Sequence, residues 1–230
     1  MLVRKRGNIF TSKAKVLVNT INCEGVMGAG IAYEFRLRYP DMYERYRFLC
    51  EEKMIDIGLL WLYKTKDRAI LNFPTKRSWK QPSKIEYIEK GLEKFVKSYK
   101  NRKIKSIAFP LLGADRGGMD KEEVLEVMER YLGKCEDIDV EIWEFDPKAK
   151  DELYDEFVKL FVNGNKTVIK EKTGLSDGQI EKIRKALTRD DVNSVNSLLK
   201  VKGLGEKTIE KVFRLKGYKG PKQTNIFDFM

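Results

Sequence analysis

A short apolar run at residues 16–18 is followed by a glycine-rich loop and then by a helical pattern from Ile31, and this order limits what the chain can fold into. A loop between a strand and a helix N-terminus exposes backbone N–H groups that can hold phosphate. Glycine allows a close approach, because no side chain stands between the amides and the ligand. The loop glycines are Gly25, Gly28 and Gly30. Their spacing matches neither the Rossmann nor the Walker fingerprint, so neither site is predicted.

The first 147 residues alternate between strand-like and helix-like patterns, which is typical of a layered α/β domain. We predict strands at residues 2–5, 16–20, 57–63, 68–73, 104–109 and 139–145, and helices at 31–38, 40–53, 84–100 and 120–134. Beyond Asp146-Pro147 only helical periodicity continues, at 149–162, 176–187, 190–199 and 205–215. The sequence therefore predicts an α/β domain over residues 1–147, a small all-α domain over 148–217 and a tail over 218–230, with no internal repeat.

The charge balance favours a polyanionic partner. The chain has 46 Lys and Arg against 35 Asp and Glu, a formal net charge of +11. A basic excess of this size attracts polyanions whatever the fold. A surface rich in Lys and Glu is also typical of thermophilic proteins, so charge alone leaves nucleic-acid binding open.

No histidine occurs in the sequence. This excludes the usual general base, the Ser-His and Cys-His nucleophiles and most catalytic metal sites. The cysteines at 23, 50 and 135 are too widely spaced for a disulfide framework or a zinc site. Because the sequence has neither a signal core nor an apolar run long enough for a bilayer, we expect a cytoplasmic protein without membrane contact. We also expect this protein to be a monomer.

Four blocks of residues resemble the macrodomain family, whose fold binds ADP-ribose. They are Gly7-Asn8-Ile9, residues 18–32, residues 72–79 and residues 110–118, in the order that the family has them. The likeness is to the DarG type, which removes ADP-ribose from DNA. It implies a three-layer α/β/α fold with a mixed central sheet, and a hydrolysis that needs no cofactor.

The resemblance also implies which residues hold the ligand. The first phosphate loop comprises Gly25, Val26, Met27, Gly28, Gly30 and Ile31, and the second comprises Leu112, Gly113, Gly117, Gly118 and Met119. Asn8 and Ile9 fall where the family contacts adenine, although most macrodomains carry Asp at the position of Asn8. Phe145, which closes the last strand, is expected either to stack on the base or to join the core.

Three residues are candidates for catalysis. Lys76 matches the lysine that carries catalysis in DarG-type enzymes and in the related human terminal ADP-ribose hydrolase. A lysine with a lowered pKa can attack an electrophilic carbon; the alternative for Lys76 is phosphate binding. Asn22 matches the asparagine beside the distal ribose, or else it caps its own loop. Asp115 is an acid or base candidate or braces Arg116, since the catalytic Asp of the human enzyme matches Gly117 here.

Two segments predict contacts with nucleic acid. After Lys76 the candidates are Arg77, Trp79 and Lys80, with Trp79 either a stacking surface for bases or a buried anchor. Residues 198–209 resemble a helix-hairpin-helix, whose glycines expose amides to a DNA phosphate, with a plain packing corner as the alternative. The candidate contacts there are Lys202, Gly203, Gly205 and Lys207.

The last eight residues resemble the sliding-clamp-binding peptide of replication and repair proteins. A one-turn helix would place Ile226, Phe229 and Met230 on one face, with Gln223 as a polar anchor. The alternative is a strap on the chain's own surface. The predicted partners are therefore DNA, an ADP-ribose group and a sliding clamp (PCNA).

The predicted function is the hydrolytic removal of ADP-ribose from ADP-ribosylated DNA bases, in repair or replication. The sequence leaves two alternatives open. One is a non-catalytic reader of ADP-ribosylated DNA or protein, and the other is a repair glycosylase that acts directly on damaged bases. Turnover distinguishes an enzyme from a reader, and a released base identifies a glycosylase.

Overall fold

The computed structural model describes residues 1–194 and 196–213, and these residues form two compact units. The first unit runs from Met1 to Phe145, and the second begins at Asp146. The segment that resembles a clamp-binding peptide lies outside the described residues. Within the described ranges, no helix is long and apolar enough to cross a membrane.

A six-stranded mixed sheet forms the centre of the first unit. Its strands are β1 (Leu2–Gly7), β2 (Val16–Asn22), β3 (Trp61–Lys64), β4 (Ala69–Lys76), β5 (Ser106–Pro110) and β6 (Asp139–Phe145). They lie in the order β1-β6-β5-β2-β4-β3, with β3 antiparallel to β4 and all other neighbours parallel. Continuous apolar runs such as residues 16–18 suit parallel strands that are covered on both faces. The predicted α/β fold with a mixed sheet is confirmed.

Helices cover both faces of this sheet. They are α1 (Gly30–Arg38), α2 (Pro40–Glu51), α3 (Ile85–Ser98) and α4 (Lys121–Leu132). The apolar faces of α3 and α4 join one core cluster with alternate strand residues, among them Leu71 and Phe73. Asn72 points to the opposite face, as strand alternation requires, and its Nδ2 lies 3.6 Å from Sδ of Met42 in α2. Gly91 lets α3 approach the sheet closely, because a Cβ there would lie 2.1 Å from Cζ of Phe73.

Strand boundaries near the site differ from the predicted ones. The strand predicted at 57–63 begins only at Trp61. Asp56 Oδ1 accepts the N–H of Ile57 at 2.7 Å and Gly58 has a φ of +84°, so these residues form a turn. β4 extends beyond the predicted end at residue 73 and carries Lys76 as its last residue.

The second unit, as far as the structure describes it, is built from helices. They are α5 (Tyr154–Val162), α6 (Lys166–Thr173), α7 (Asp177–Leu187), a 3-10 helix (Asn196–Lys200) and α8 (Glu206–Phe213). α6 was not predicted from the sequence, and the helix predicted at 190–199 is wrong over its first residues, which form a turn. Asn165 caps α6, and Ser176 with Gln179 forms a capping box on α7.

The second unit also contains an internal repeat, so the prediction of none is wrong. Residues 172–183 read KTGLSDGQIEKI and residues 201–212 read VKGLGEKTIEKV, which aligns α7 with α8. Gln179 and Thr208 occupy the same position in the two copies, and Nε2 of the first donates to Oγ1 of the second at 3.0 Å. A contact between equivalent residues is expected where a twofold axis passes between two copies.

Two lysines show the same reciprocal arrangement. Nζ of Lys211, in the second copy, donates to the carbonyl oxygen of Gly174 in the first copy at 2.8 Å. Lys182, its equivalent in the first copy, lies beside Gly203 of the second, where a Cβ would be 2.6 Å from Nζ. Gly174 and Gly203 both have positive φ, +65° and +84°. The two hairpins are therefore related by an approximate twofold rotation.

Candidate active site

The candidate residues of the first unit gather at one edge of the sheet, where the parallel strands end. β2 ends at Asn22 and β4 at Lys76, and these two residues are partners in the strand register. β1 ends at Gly7, which is the register partner of Phe145 in β6. The carboxyl edge of parallel strands is where open α/β sheets bind their ligands.

The first glycine loop leads directly into α1. Ala29 precedes the helix and offers no side-chain hydrogen bond to it, so the N–H groups of the first turn lack a side-chain cap and carry partial positive charge. A Cβ at Gly30 would lie 3.3 Å from Cγ of Arg116, which brings the second loop close to the start of α1. Met27 is fully buried, and its contact with a ligand stays a prediction.

Asn22 is buried, and its side-chain amide is engaged with the loop that follows it. Oδ1 accepts the N–H groups of Glu24 at 2.9 Å and Val26 at 3.3 Å, and Nδ2 donates to the carbonyl oxygen of Val26 at 2.5 Å. The buried Tyr46 hydroxyl donates to the Asn22 carbonyl oxygen at 2.7 Å. These contacts match the alternative in which Asn22 caps its own loop, and its contact with the ribose stays a prediction.

The amine of Lys76 connects β4 with the second glycine loop. Nζ donates to the carbonyl oxygen of Arg116 at 2.5 Å, and among residues 1–194 and 196–213 it has no carboxylate partner. Burial lowers the pKa of this amine below its ordinary value. The neighbouring Arg77 is paired with Asp56, with 2.7 Å between Nη1 and Oδ1. Burial, rather than a nearby cation, therefore favours the neutral amine.

The residues that follow are attached to the first glycine loop through Glu24. Its Oε2 accepts the Ser78 hydroxyl at 2.9 Å and the backbone N–H of Trp79 at 3.2 Å. The Trp79 side chain is 52% exposed, and Nζ of Lys80 lies 5.4 Å from its ring centroid. An indole this exposed agrees with the stacking surface and not with the buried anchor.

The second glycine loop is held by backbone contacts. Ser83 donates its N–H to the carbonyl oxygen of Gly117 at 3.0 Å, and Met119 donates to that of Gly113 at 3.1 Å. A Cβ at Gly117 would lie 2.0 Å from the Gly113 oxygen. The loop in this conformation therefore has no room for a side chain at position 117. Leu112, which is fully buried, and Gly118, with a φ of +74°, complete the loop.

Asp115 lies exposed at the tip of the second loop. Within the described part of the chain it forms no salt bridge with Arg116 or with any other residue. The bracing alternative thus has no contact to support it, and the acid or base role stays a prediction.

At the predicted adenine end, Asn8 and Ile9 are both buried. Oδ1 of Asn8 accepts the N–H of Phe10 at 3.1 Å and caps a 3-10 turn over Ile9–Thr11. Phe145 is 53% exposed, which agrees with stacking and not with a place in the core. Adenine contact through these three residues stays a prediction.

The candidate hairpin of the second unit lies between the 3-10 helix and α8. Lys202 and Gly203 form its turn, and Thr208 donates its N–H to the Gly205 oxygen at 2.9 Å. Gly205 has no side chain with which to cap α8, whereas the equivalent Ser176 caps α7. Lys207 follows in the first turn of α8. The predicted clamp contacts, Gln223, Ile226, Phe229 and Met230, lie outside the described residues.

Sequence reasoning missed three residues that organise the site. Glu24 joins two loops, Asp56 neutralises Arg77, and Tyr46 supports Asn22. Each acts through a partner at least 21 positions away in the chain, so no local pattern signals it. Burial also raises the pKa of the Cys23 thiol to about 12, which keeps this thiol protonated near neutral pH.

This arrangement defines an α/β domain in which two glycine loops and a lysine form a candidate ligand site at the carboxyl edge of the parallel strands. The Macro domain family model matches residues 18–128. The macrodomain of Mycobacterium tuberculosis DarG has 36% sequence identity and a TM-score of 0.60, and the match covers 62% of this chain and 97% of that one. The chain belongs to the macrodomain family.

Two further relatives are longer than this chain. A Thermus aquaticus protein named DNA ADP-ribosyl glycohydrolase is 39% identical over 151 residues, which is 64% of this chain and 41% of that protein. The structure of Thermosipho africanus DarTG in complex with ADP-ribose has a TM-score of 0.58 and 37% identity, over 60% of this chain and 40% of that one. The match to this chain thus spans less than half the length of each of these two relatives.

Proposed function

We propose that this chain removes ADP-ribose from ADP-ribosylated DNA bases by hydrolysis. The observation that carries the proposal is the amine of the partly buried Lys76, which contacts the second glycine loop, lacks a carboxylate partner in the described residues and has a lowered pKa. The name of the Thermus aquaticus relative supports the reaction, and the Thermosipho africanus complex supports ADP-ribose as the ligand.

In this reaction the bond between the anomeric carbon of the distal ribose and the base is cleaved. The oxygen of a water molecule ends on that carbon, and its proton ends on the leaving base. The uncapped first turn of α1 and the second glycine loop would hold the diphosphate by backbone N–H groups. Lys76 would act as the nucleophile or would stabilise charge at the reacting carbon.

The direct test is the release of ADP-ribose from a single-stranded oligonucleotide that carries ADP-ribose on one base. We expect the purified chain to release free ADP-ribose and to restore the unmodified oligonucleotide, as followed by chromatography. Tight binding without release would identify a reader. A released base with an abasic site would identify a glycosylase and contradict the hydrolase.

The second unit is proposed to bind the DNA backbone. Lys202 and Lys207 flank a turn whose Gly205 has no side chain to cap α8, and the structure records no carboxylate partner for either lysine within the described residues. Contacts of this kind bind phosphate without reading sequence. Binding that depends on them is expected to weaken as salt rises.

Replacing Lys202 and Lys207 together by glutamine is expected to weaken binding of a single-stranded oligonucleotide and to flatten its salt dependence. Each lost phosphate contact should reduce the slope of log K against log salt by about 0.7. Fluorescence anisotropy at several salt concentrations measures that slope. Replacing Lys97 and Lys100 by glutamine removes the same charge from the end of α3, and an equal effect of that control would contradict a specific contact.

A further inference from the structure

Glu24 connects the first glycine loop to the segment that carries Lys76 and Trp79. Oε2 of Glu24 accepts two hydrogen bonds, from the Ser78 hydroxyl at 2.9 Å and from the Trp79 N–H at 3.2 Å. In the described residues the carboxylate has no cationic partner. The catalytic proposal does not use this residue, and the sequence pattern did not identify it.

Besides the Arg77–Asp56 salt bridge and the Ser83 N–H bond to the Gly117 oxygen, the segment is attached to the first glycine loop at two points. The first point lies just after Lys76, where the pairing of β2 with β4 continues. There Cys23 donates its N–H to the Arg77 carbonyl oxygen at 3.1 Å. Further along, the contacts of Ser78 and Trp79 with Glu24 hold the backbone. Removing the carboxylate therefore releases the second point and leaves the first one in place.

Trp79 is the side chain whose position depends on that second point. Its ring is 52% exposed, whereas Trp61 is fully buried and Trp143 is 9% exposed. An exposed indole on a fixed backbone suits stacking with a nucleobase, because every base offers a flat π-face. Free ADP-ribose lacks the neighbouring nucleotides that such a ring would contact.

We propose that Glu24 is a positioning residue that fixes Trp79 as a stacking surface for a base of single-stranded nucleic acid, and thereby favours nucleic-acid-linked ADP-ribose over free ADP-ribose. The preference for the linked ligand rests on the proposed function, and the stacking role does not. Glu24 acts through Trp79 and does not need to touch the reacting atoms.

The test compares the full chain with Glu24→Ala, Glu24→Gln, Trp79→Ala and the double variant Glu24→Ala/Trp79→Ala. The probes are an unmodified single-stranded oligonucleotide and free ADP-ribose. We expect Glu24→Ala and Trp79→Ala each to weaken oligonucleotide binding about tenfold, with ADP-ribose affinity unchanged. The double variant should bind no more weakly than Trp79→Ala alone, since both changes remove the same contact.

Glutamine at position 24 is the matched control. Its amide oxygen can accept the same two hydrogen bonds, so Glu24→Gln is expected to bind the oligonucleotide at least as well as the unchanged chain. Acrylamide quenching reports Trp79 directly, because the other two tryptophans are buried. Bound oligonucleotide should protect Trp79 from quenching in the unchanged chain and in Glu24→Gln, and not in Glu24→Ala.

Three outcomes would overturn the proposal. Tighter oligonucleotide binding by Glu24→Ala would mean that the residue acts only by its charge. If Glu24→Ala weakens oligonucleotide binding equally with and without Trp79, then Glu24 acts at another place. If Glu24→Ala also weakens ADP-ribose binding, then Glu24 only shapes the phosphate loop. None of these measurements requires hydrolysis, so failure of the hydrolase proposal remains a separate result.

Discussion

Replacement of Lys76 by alanine is expected to lower the rate of ADP-ribose release by a factor on the order of 10²–10³ if Lys76 stabilises charge at the reacting carbon, and by more if it is the nucleophile. The amine donates to the Arg116 carbonyl oxygen at 2.5 Å. No carboxylate in the described residues holds it in the charged form. Single-turnover release from an ADP-ribosylated oligonucleotide measures the chemical step without product release.

The pH dependence of the release rate shows whether Lys76 acts as a neutral or as a charged amine. Burial lowers the pKa of Lys76, so the neutral, nucleophilic amine is available at lower pH than in an ordinary lysine. The rate should therefore rise with pH and level off above that lowered pKa, while Lys76→Ala should lose this rise. If Lys76 acts instead as a charged stabiliser, the rate should fall over the same range.

Lys76→Arg separates catalysis from bracing of the loops. Arginine can donate to the Arg116 carbonyl oxygen, but it does not lose its proton in proteins. We expect Lys76→Arg to keep the affinity for ADP-ribose and to lose release. Reduction with borohydride during turnover should attach ADP-ribose covalently to the unchanged chain and not to either variant, if Lys76 is the nucleophile. Normal release by both variants would remove Lys76 from the mechanism.

The first unit was largely predictable, because its patterns are local. Buried runs such as residues 16–18 and the apolar face of α3 specify a strand and a helix whatever surrounds them. The strand predicted at 57–63 failed at its start, where Gly58 takes a positive φ in a turn. The sequence shows a glycine at position 58, but it does not predict that this glycine lies in a turn rather than in a strand.

The sequence identifies candidate residues near the strand ends, but it does not identify which of them contact one another. The sequence marks Arg77 as a cation near the cleft, but only the fold brings Asp56 within 2.7 Å of it. The same holds for Lys76 and the Arg116 carbonyl oxygen, which lie 40 positions apart. Such contacts depend on how the strand ends are aligned in space, which no local pattern encodes.

The internal repeat was missed for a different reason. Its two copies share Gly-Leu and Ile-Glu-Lys at equal spacing, but Ser176 replaces Gly205 and α6 has a weak apolar pattern. The copies became recognisable through Gln179 and Thr208, which meet across the approximate twofold axis. The twofold relation between the two copies is therefore clearer from the side-chain contacts than from the amino-acid sequence.

Replacement of Gly117 by alanine is expected to weaken ADP-ribose binding by at least about tenfold and to destabilise the first unit. The new Cβ would lie 2.0 Å from the Gly113 carbonyl oxygen, a separation at which backbone must move. Overpacking of this kind costs about 1–3 kcal/mol. The second glycine loop would have to open, and its contact with Ser83 would be lost with it. Calorimetric titration with ADP-ribose and thermal unfolding measure the two effects.

Gly118→Ala serves as the comparison within the same loop. Gly118 has a φ of +74° and open space around a Cβ, so this change costs only the left-handed strain of about 1–2 kcal/mol. Equal losses of affinity in the two variants would contradict the steric argument. Gly117→Asp applies the same test to a larger side chain. The same clash predicts a loss of ADP-ribose binding at least as large as that of Gly117→Ala.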